Sequence, residues 1–221
     1  MPAFVVVIVV AVSLGFGRTV VLPTLRGTFS RPWFVYLHGT LFVVWVSLLA
    51  VQVWLISRRQ VRLHQRLGML GAVLVPLMAV SGVVVSVWAT NRDVALGQPG
   101  AIVFFFGLLM DMLMFFAFGC AALLTRRRPA LHKRLIVFAT LAILGAAIGR
   151  IPVVGNAANA LTVVLVFAVV AYDLTIDRRV RAVTLIGGAL FLAGVYTETA
   201  IGETDAWRRV GPRVLKVLTL P

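Results

Sequence analysis

Residues Ala101–Leu124 read AIVFFFGLLMDMLMFFAFGCAALL, and Asp111 is the one charged residue among them. A helix needs about 20 apolar residues to cross the hydrocarbon core of a bilayer, and this stretch exceeds that. No β-strand of ordinary length needs so long an unbroken apolar run. The stretch therefore predicts a transmembrane helix.

The same pattern recurs outward on both sides. Before it come Ala3–Leu22, Trp33–Ser57 and Leu67–Ala89, and after it come Leu131–Arg150, Ala157–Tyr172 and Val183–Ala200. The sixth of the seven stretches is short, with its start open toward Val153. Turn and breaker signals separate them: Pro23, Pro32, the Asn91–Gly100 segment, Pro129, and Pro152 with Gly155. The expected fold is all-α, a polytopic transmembrane bundle of about seven spans built from helical hairpins over residues 1–200. Residues 201–221 form an amphipathic C-terminal tail.

Composition agrees. Hydrophobic residues make up 61% of the 221, charged residues 13%, and the mean hydropathy is +1.04. Soluble domains run at about 45–50% apolar and about 25% charged. Water cannot be the main solvent of this chain, because a folded domain always leaves much of its surface exposed. The first stretch lacks a basic segment before it, and Arg18 follows its apolar run, so a retained helix is expected rather than a cleaved signal.

The formal charge is +14, from 21 Lys and Arg against 7 Asp and Glu. A basic domain for nucleic acid is excluded, because the cations fall in short runs between apolar stretches. Arg58, Arg59, Arg62 and Arg66 lie in the second connection. Arg126, Arg127, Arg128, Lys133 and Arg134 lie in the fourth, and Arg178, Arg179 and Arg181 in the sixth. The alternate connections carry fewer. The N-terminus and the three basic loops are expected on the cytoplasmic side, facing anionic lipid headgroups.

Seven crossings then place the C-terminus outside, although Arg208, Arg209, Arg213 and Lys216 in the tail pull the other way. The tail reads as a surface helix broken near Gly211–Pro212, with Trp207 as an interfacial anchor.

Two segments match at L-H-x-R-L: Leu63-His64-Gln65-Arg66-Leu67 and Leu131-His132-Lys133-Arg134-Leu135. Each follows an Arg-rich turn and opens an apolar stretch, as stacked hairpins of one sense would. Asp177-Arg178-Arg179-Val180-Arg181 stands at the third such turn without a histidine. His38-Gly39, Trp45, Gln52, the two L-H-x-R-L turns, Ala147-Ile148-Gly149-Arg150-Ile151-Pro152 and Gly202-Glu203-Thr204-Asp205-Ala206-Trp207 together resemble a group of uncharacterised bacterial multi-pass membrane proteins. The resemblance covers most of the chain. It implies a place in the bacterial cytoplasmic (inner) membrane and no particular activity.

Ionisable groups at membrane depth are costly and tend to face a bundle interior or a cavity. Asp111 is one, either a proton-carrying group or a paired interhelical hydrogen bond. His38, Trp45 and Gln52 recur every seven residues, which keeps them within about 40° of one helical face. That face reads as a polar pocket lining or as helix packing. Arg150 closes the fifth stretch and would snorkel outward or turn inward to Asp111 or His38. Asp111, His38 and Arg150, with Gln52, form the candidate intramembrane polar site.

His64 and His132 sit at equal depth near the basic side. They read as interfacial histidines or as the two axial ligands of one b-type haem. Three histidines exclude a two-haem cytochrome with four histidine ligands. Cys120 has no partner for a disulfide, and no metal-binding spacing occurs. Gly145 and Gly149 form G-x-x-x-G, a helix-packing signal for an internal contact, a homo-oligomer or another membrane protein. No catalytic motif is present. The expected function is non-catalytic: transport of protons or a small solute, sensing, or an accessory place in a membrane complex. The alternative is a single-haem electron-transfer protein.

Overall fold

The computed structural model describes residues 2–154 and 157–219. Gly155, expected to help break the chain before the sixth span, lies outside them. Among the described residues the protein is all-α without strands, with seven helices long and apolar enough to cross a membrane. They are α1 (Pro2–Leu25), α2 (Trp33–Ser57), α3 (Val61–Ala95), α4 (Ala101–Leu124), α5 (Pro129–Ile148), α6 (Asn159–Asp177) and α7 (Ala182–Gly202). A shorter helix, α8 (Asp205–Leu218), follows. The chain has the build of a multi-pass membrane protein.

Short turns join the spans, so neighbours in sequence pack side by side. α5 is the centre: 67% of its apolar window is buried, against 11% for α1. It touches α1, α4, α6 and α7, while α4 also touches α3, α7 and α8. Lipid offers no hydrophobic drive for helices to associate, so close packing and hydrogen bonds must hold them.

Small residues provide that packing. A methyl group at Gly15 would collide with the carbonyl of Ala147, which seats α1 on α5. Gly187 takes the ring of Phe138, Gly119 takes Val75, and Gly194 takes the sulfur of Met114. Phe118, Phe138 and Phe191 then meet at ring centroids 5.6–6.5 Å apart, where α4, α5 and α7 converge.

The structure departs from the expected boundaries in several places. α3 begins at Val61, so the first L-H-x-R-L segment is already helical, and it runs through Asn91 to Ala95. Asn91 does not break the helix, because its amide donates to the Val87 carbonyl and to Thr219 Oγ1. α1 passes Arg18 through a π-helical turn at Gly17–Val21. α5 starts at Pro129, where a missing N–H costs nothing, and ends before Arg150. α6 continues past Tyr172 through a π-helical turn to Asp177.

α8 is unbroken. Gly211 and Pro212 lie inside it, Gly211 lying against Ile102 and Trp207. Trp207 does more than anchor at an interface: its Nε1 donates to the Ile102 carbonyl at 2.8 Å, and its ring meets Phe106 at 4.9 Å. α8 thus docks where α3 ends and α4 begins, opposite the three basic turns, as seven crossings require.

The G-x-x-x-G reading needs correction as an internal contact. A methyl group at Gly145 would meet nothing within 4 Å, and Gly149 is exposed beyond the helix end. The other face of α5 does the packing.

Candidate functional site

α4 carries Asp111 roughly 20 Å from the basic end of the bundle, counting 1.5 Å per residue from Leu124. α7 runs the opposite way and carries Glu198 to a similar depth, roughly 24 Å from Ala182. The two carboxyl groups meet across the α4–α7 interface. Gly107, one turn before Asp111, lies against the Glu198 carboxyl. A methyl group there would stand 3.5 Å from Glu198 Oε2, so any longer side chain would displace the carboxyl. Met110, Met112, Met114 and Phe115 flank Asp111 in the sequence of α4.

Two carboxyl oxygens form a hydrogen bond only when a proton lies between them. At this depth one uncompensated negative charge is costly, and two in contact are costlier. Among the described residues no ion pair reaches either group. Glu198 Oε1 is buried without a hydrogen-bond partner. The arrangement is suited to holding and exchanging a proton or receiving a donor from a small solute.

The other expected site residues lie apart from this pair. His38 Nδ1 is 2.9 Å from Ser81 Oγ, and the Ser81 hydroxyl also donates to the Met78 carbonyl. The imidazole lies over Gly82, where the Met112 side chain of α4 also packs. Arg150 makes no ion pair with Asp111 and lies within electrostatic reach of His38. Its guanidinium lies 4.7 Å from the Phe16 ring and donates to the Ala146 carbonyl. Trp45 is buried, with Nε1 3.3 Å from Thr140 Oγ1 and its ring edge-on to Phe115. The seven-residue stripe therefore turns inward, and Arg150 stands near His38, while Asp111 pairs with Glu198 instead.

A third polar locus lies toward the basic end. Both amide atoms of Gln52 and the Nδ1 of His64 are buried without a partner. Gly68 leaves space beside the Gln52 amide. His132 Nδ1 donates to the Ala122 carbonyl at 2.9 Å, which leaves Nε2 as the lone-pair nitrogen. His64 lies within electrostatic reach of His132. Among the described residues no group of three or more His, Cys, Asp or Glu could hold a metal ion.

Sequence reasoning missed one constellation entirely. Arg134, expected at a basic loop facing headgroups, is completely buried. Its Nε donates to Asp173 Oδ1 at 2.9 Å and to Thr184 Oγ1 at 3.0 Å, and its Nη2 bonds both Asp173 and Asp177. Thr184 Oγ1 and the Arg181 backbone N–H donate to Asp173 Oδ2, and Arg181 Nε donates to Asp177 Oδ2 at 2.9 Å.

Two arginines and two aspartates thus balance, tying α5, α6 and α7 together. A signal existed: Asp173 and Asp177, one helical turn apart, are the only acidic residues near any of the basic turns. Arg66, the counterpart of Arg134 in the L-H-x-R-L repeat, is exposed, so the two copies differ in what their arginines do.

Glu198 was missed as well, because a carboxylate four residues from a helix end reads as interfacial until the partner helix is known. Comparison with family models, with curated proteins and with solved structures finds no match to this chain.

Proposed function

We propose that this protein is a non-catalytic membrane protein that carries protons, alone or with a small solute, across the bilayer. Asp111 and Glu198 are the groups that take up and release the proton. The observation behind this reading is the contact of two carboxyl groups at membrane depth with no basic partner among the described residues. Intramembrane ionisable groups are costly enough to mark ion or substrate paths. The orphan Oε1 of Glu198 supplies an acceptor for an incoming donor.

The proposed setting is the bacterial cytoplasmic membrane, with the basic turns facing the cytoplasm and anionic headgroups. Sensing or service as an accessory subunit would use the same bundle without net flux.

The test is proton flux into liposomes that hold a trapped pH dye, under an imposed potential. The wild-type protein should conduct above protein-free vesicles, and Asp111→Asn and Glu198→Gln should each abolish the excess. Flux that persists unchanged in both variants would refute the carboxyl pair as the carrier.

A second reading keeps one haem between His64 and His132. The fixed tautomer of His132 and the nearness of His64 favour it. An absorption spectrum of detergent-purified protein tests it: a Soret band lost in His64→Ala and His132→Ala would support haem, and a colourless protein would remove this reading.

A further inference from the structure

A groove of about 830 Å³ runs along the outer face of the bundle between α4 and α7. Gly187, Leu190, Ala193 and Ala117 are among the residues that line it. Ala117 and Ala193 are exposed on its two walls. Phe138 and Met114 already fill the space above Gly187 and Gly194, so the groove is a gap between helices and not room left by those glycines. Its lining from Ala182 to Thr197 spans roughly 22 Å of helix α7. One leaflet of the hydrocarbon core is about 15 Å deep. The groove therefore extends from the headgroup level past the bilayer midplane.

Its mouth is set in positive charge. Ala130 and Arg181 line that end. Ala130 follows the exposed Arg126, Arg127 and Arg128, and Arg181 follows the exposed Arg178 and Arg179. The nearby acids, Asp173 and Asp177, are already taken up by Arg134 and Arg181. Five exposed arginines on two neighbouring turns thus flank a long apolar slot. An amphiphile from the surrounding leaflet would naturally lie with its head at the interface and its chain toward the midplane. A basic pocket between helices selects a negative head.

We infer that this groove binds one anionic phospholipid, its phosphate between turns 126–128 and 178–181 and an acyl chain along Leu190 and Ala193. The inference does not depend on the proton-carrying role of Asp111 and Glu198.

The experiment reconstitutes the full chain in phosphatidylcholine bilayers. It measures motionally restricted lipid by electron paramagnetic resonance, using spin-labelled phosphatidylglycerol and spin-labelled phosphatidylcholine. The wild-type protein should favour phosphatidylglycerol roughly fivefold, the worth of one basic contact near the surface, and high salt should reduce the preference.

Ala193→Trp and Ala117→Trp, on opposite walls, should each remove the preference, whereas Leu185→Trp, on an exposed position outside the lining, should keep it. Arg178→Gln with Arg179→Gln should lower it while leaving phosphatidylcholine unchanged. Equal affinity for the two lipids overturns the proposal. So does a preference that survives both tryptophan variants, which would belong to the basic surface at large. If either tryptophan converts a dimer in the bilayer to a monomer, the groove is covered by a second copy and the proposal also fails. Thermal melts of the variants in detergent confirm that each is folded.

Discussion

The guanidinium of Arg134 on α5 and the carboxylate of Asp173 on α6 are bonded to one another with both side chains wholly removed from solvent. Taking two charges out of water costs several kcal/mol each, and only mutual attraction with full hydrogen bonding repays it. Here the repayment is complete: Arg134 also reaches Thr184, Asp177 and the Ala130 carbonyl, and Asp173 also accepts from Thr184 and the Arg181 N–H.

Removing Asp173 leaves Arg134 to share Asp177 with Arg181. Asp173→Ala should cost about 3 kcal/mol, the low end for breaking a buried pair, because Asp177 still faces the guanidinium. Arg134→Met with Asp173→Leu should recover most of that loss, because a neutral pair leaves no charge unpaired. Thermal unfolding in detergent, compared across the single and double variants, checks the recovery. A double variant no better than Asp173→Ala would mean that the remaining network, and not the pair, carries the stability.

Two glycines, one on α1 and one on α5, should respond oppositely to the same change. Gly15→Ala gains about 1 kcal/mol of helix propensity but drives a methyl group into the Ala147 backbone, and overpacking costs about 1–3 kcal/mol. Gly145→Ala gains the same propensity into open space. Melting temperature should fall for the first and hold or rise for the second. A fall at Gly145 would reveal a contact from outside this chain.

Trp207 is expected to be what keeps α8 on the bundle. Trp207→Ala removes the hydrogen bond to Ile102 and the ring contacts with Phe105 and Phe106. The loss should be about 2 kcal/mol, below the 3–5 of a fully buried aromatic, because the side chain is only partly covered. Limited proteolysis should then cut within Asp205–Leu218 while the seven spans stay intact. Unchanged protection of α8 would place its anchorage at Leu215 and Gly211 instead.

Seven crossings make a topological prediction. With Cys120 replaced by Ser, a cysteine at Gln98 and one at Leu218 should label with an impermeant maleimide from the same side of sealed vesicles. A cysteine at Arg127 should label from the opposite side. Labelling of Leu218 and Arg127 from one side would break the count.

Solvation decided how much of the fold the chain itself reveals. Seven apolar runs separated by Pro, Gly and arginine clusters can only be helices in lipid, since every backbone N–H and C=O must be satisfied within its own segment. Asp111 stood out for the same reason, as a carboxyl where charge is expensive. The inward turn of His38, Trp45 and Gln52 also followed from spacing alone.

Partnership belongs to the tertiary structure, because it depends on which helix faces which and at what depth. Glu198 meets Asp111 because α7 runs antiparallel to α4, which brings the two carboxyl groups to one depth. Arg134 left the lipid surface only because α6 and α7 bring Asp173, Asp177 and Thr184 to it. A periodic pattern records that a residue faces inward, and it carries no record of what waits on the other side.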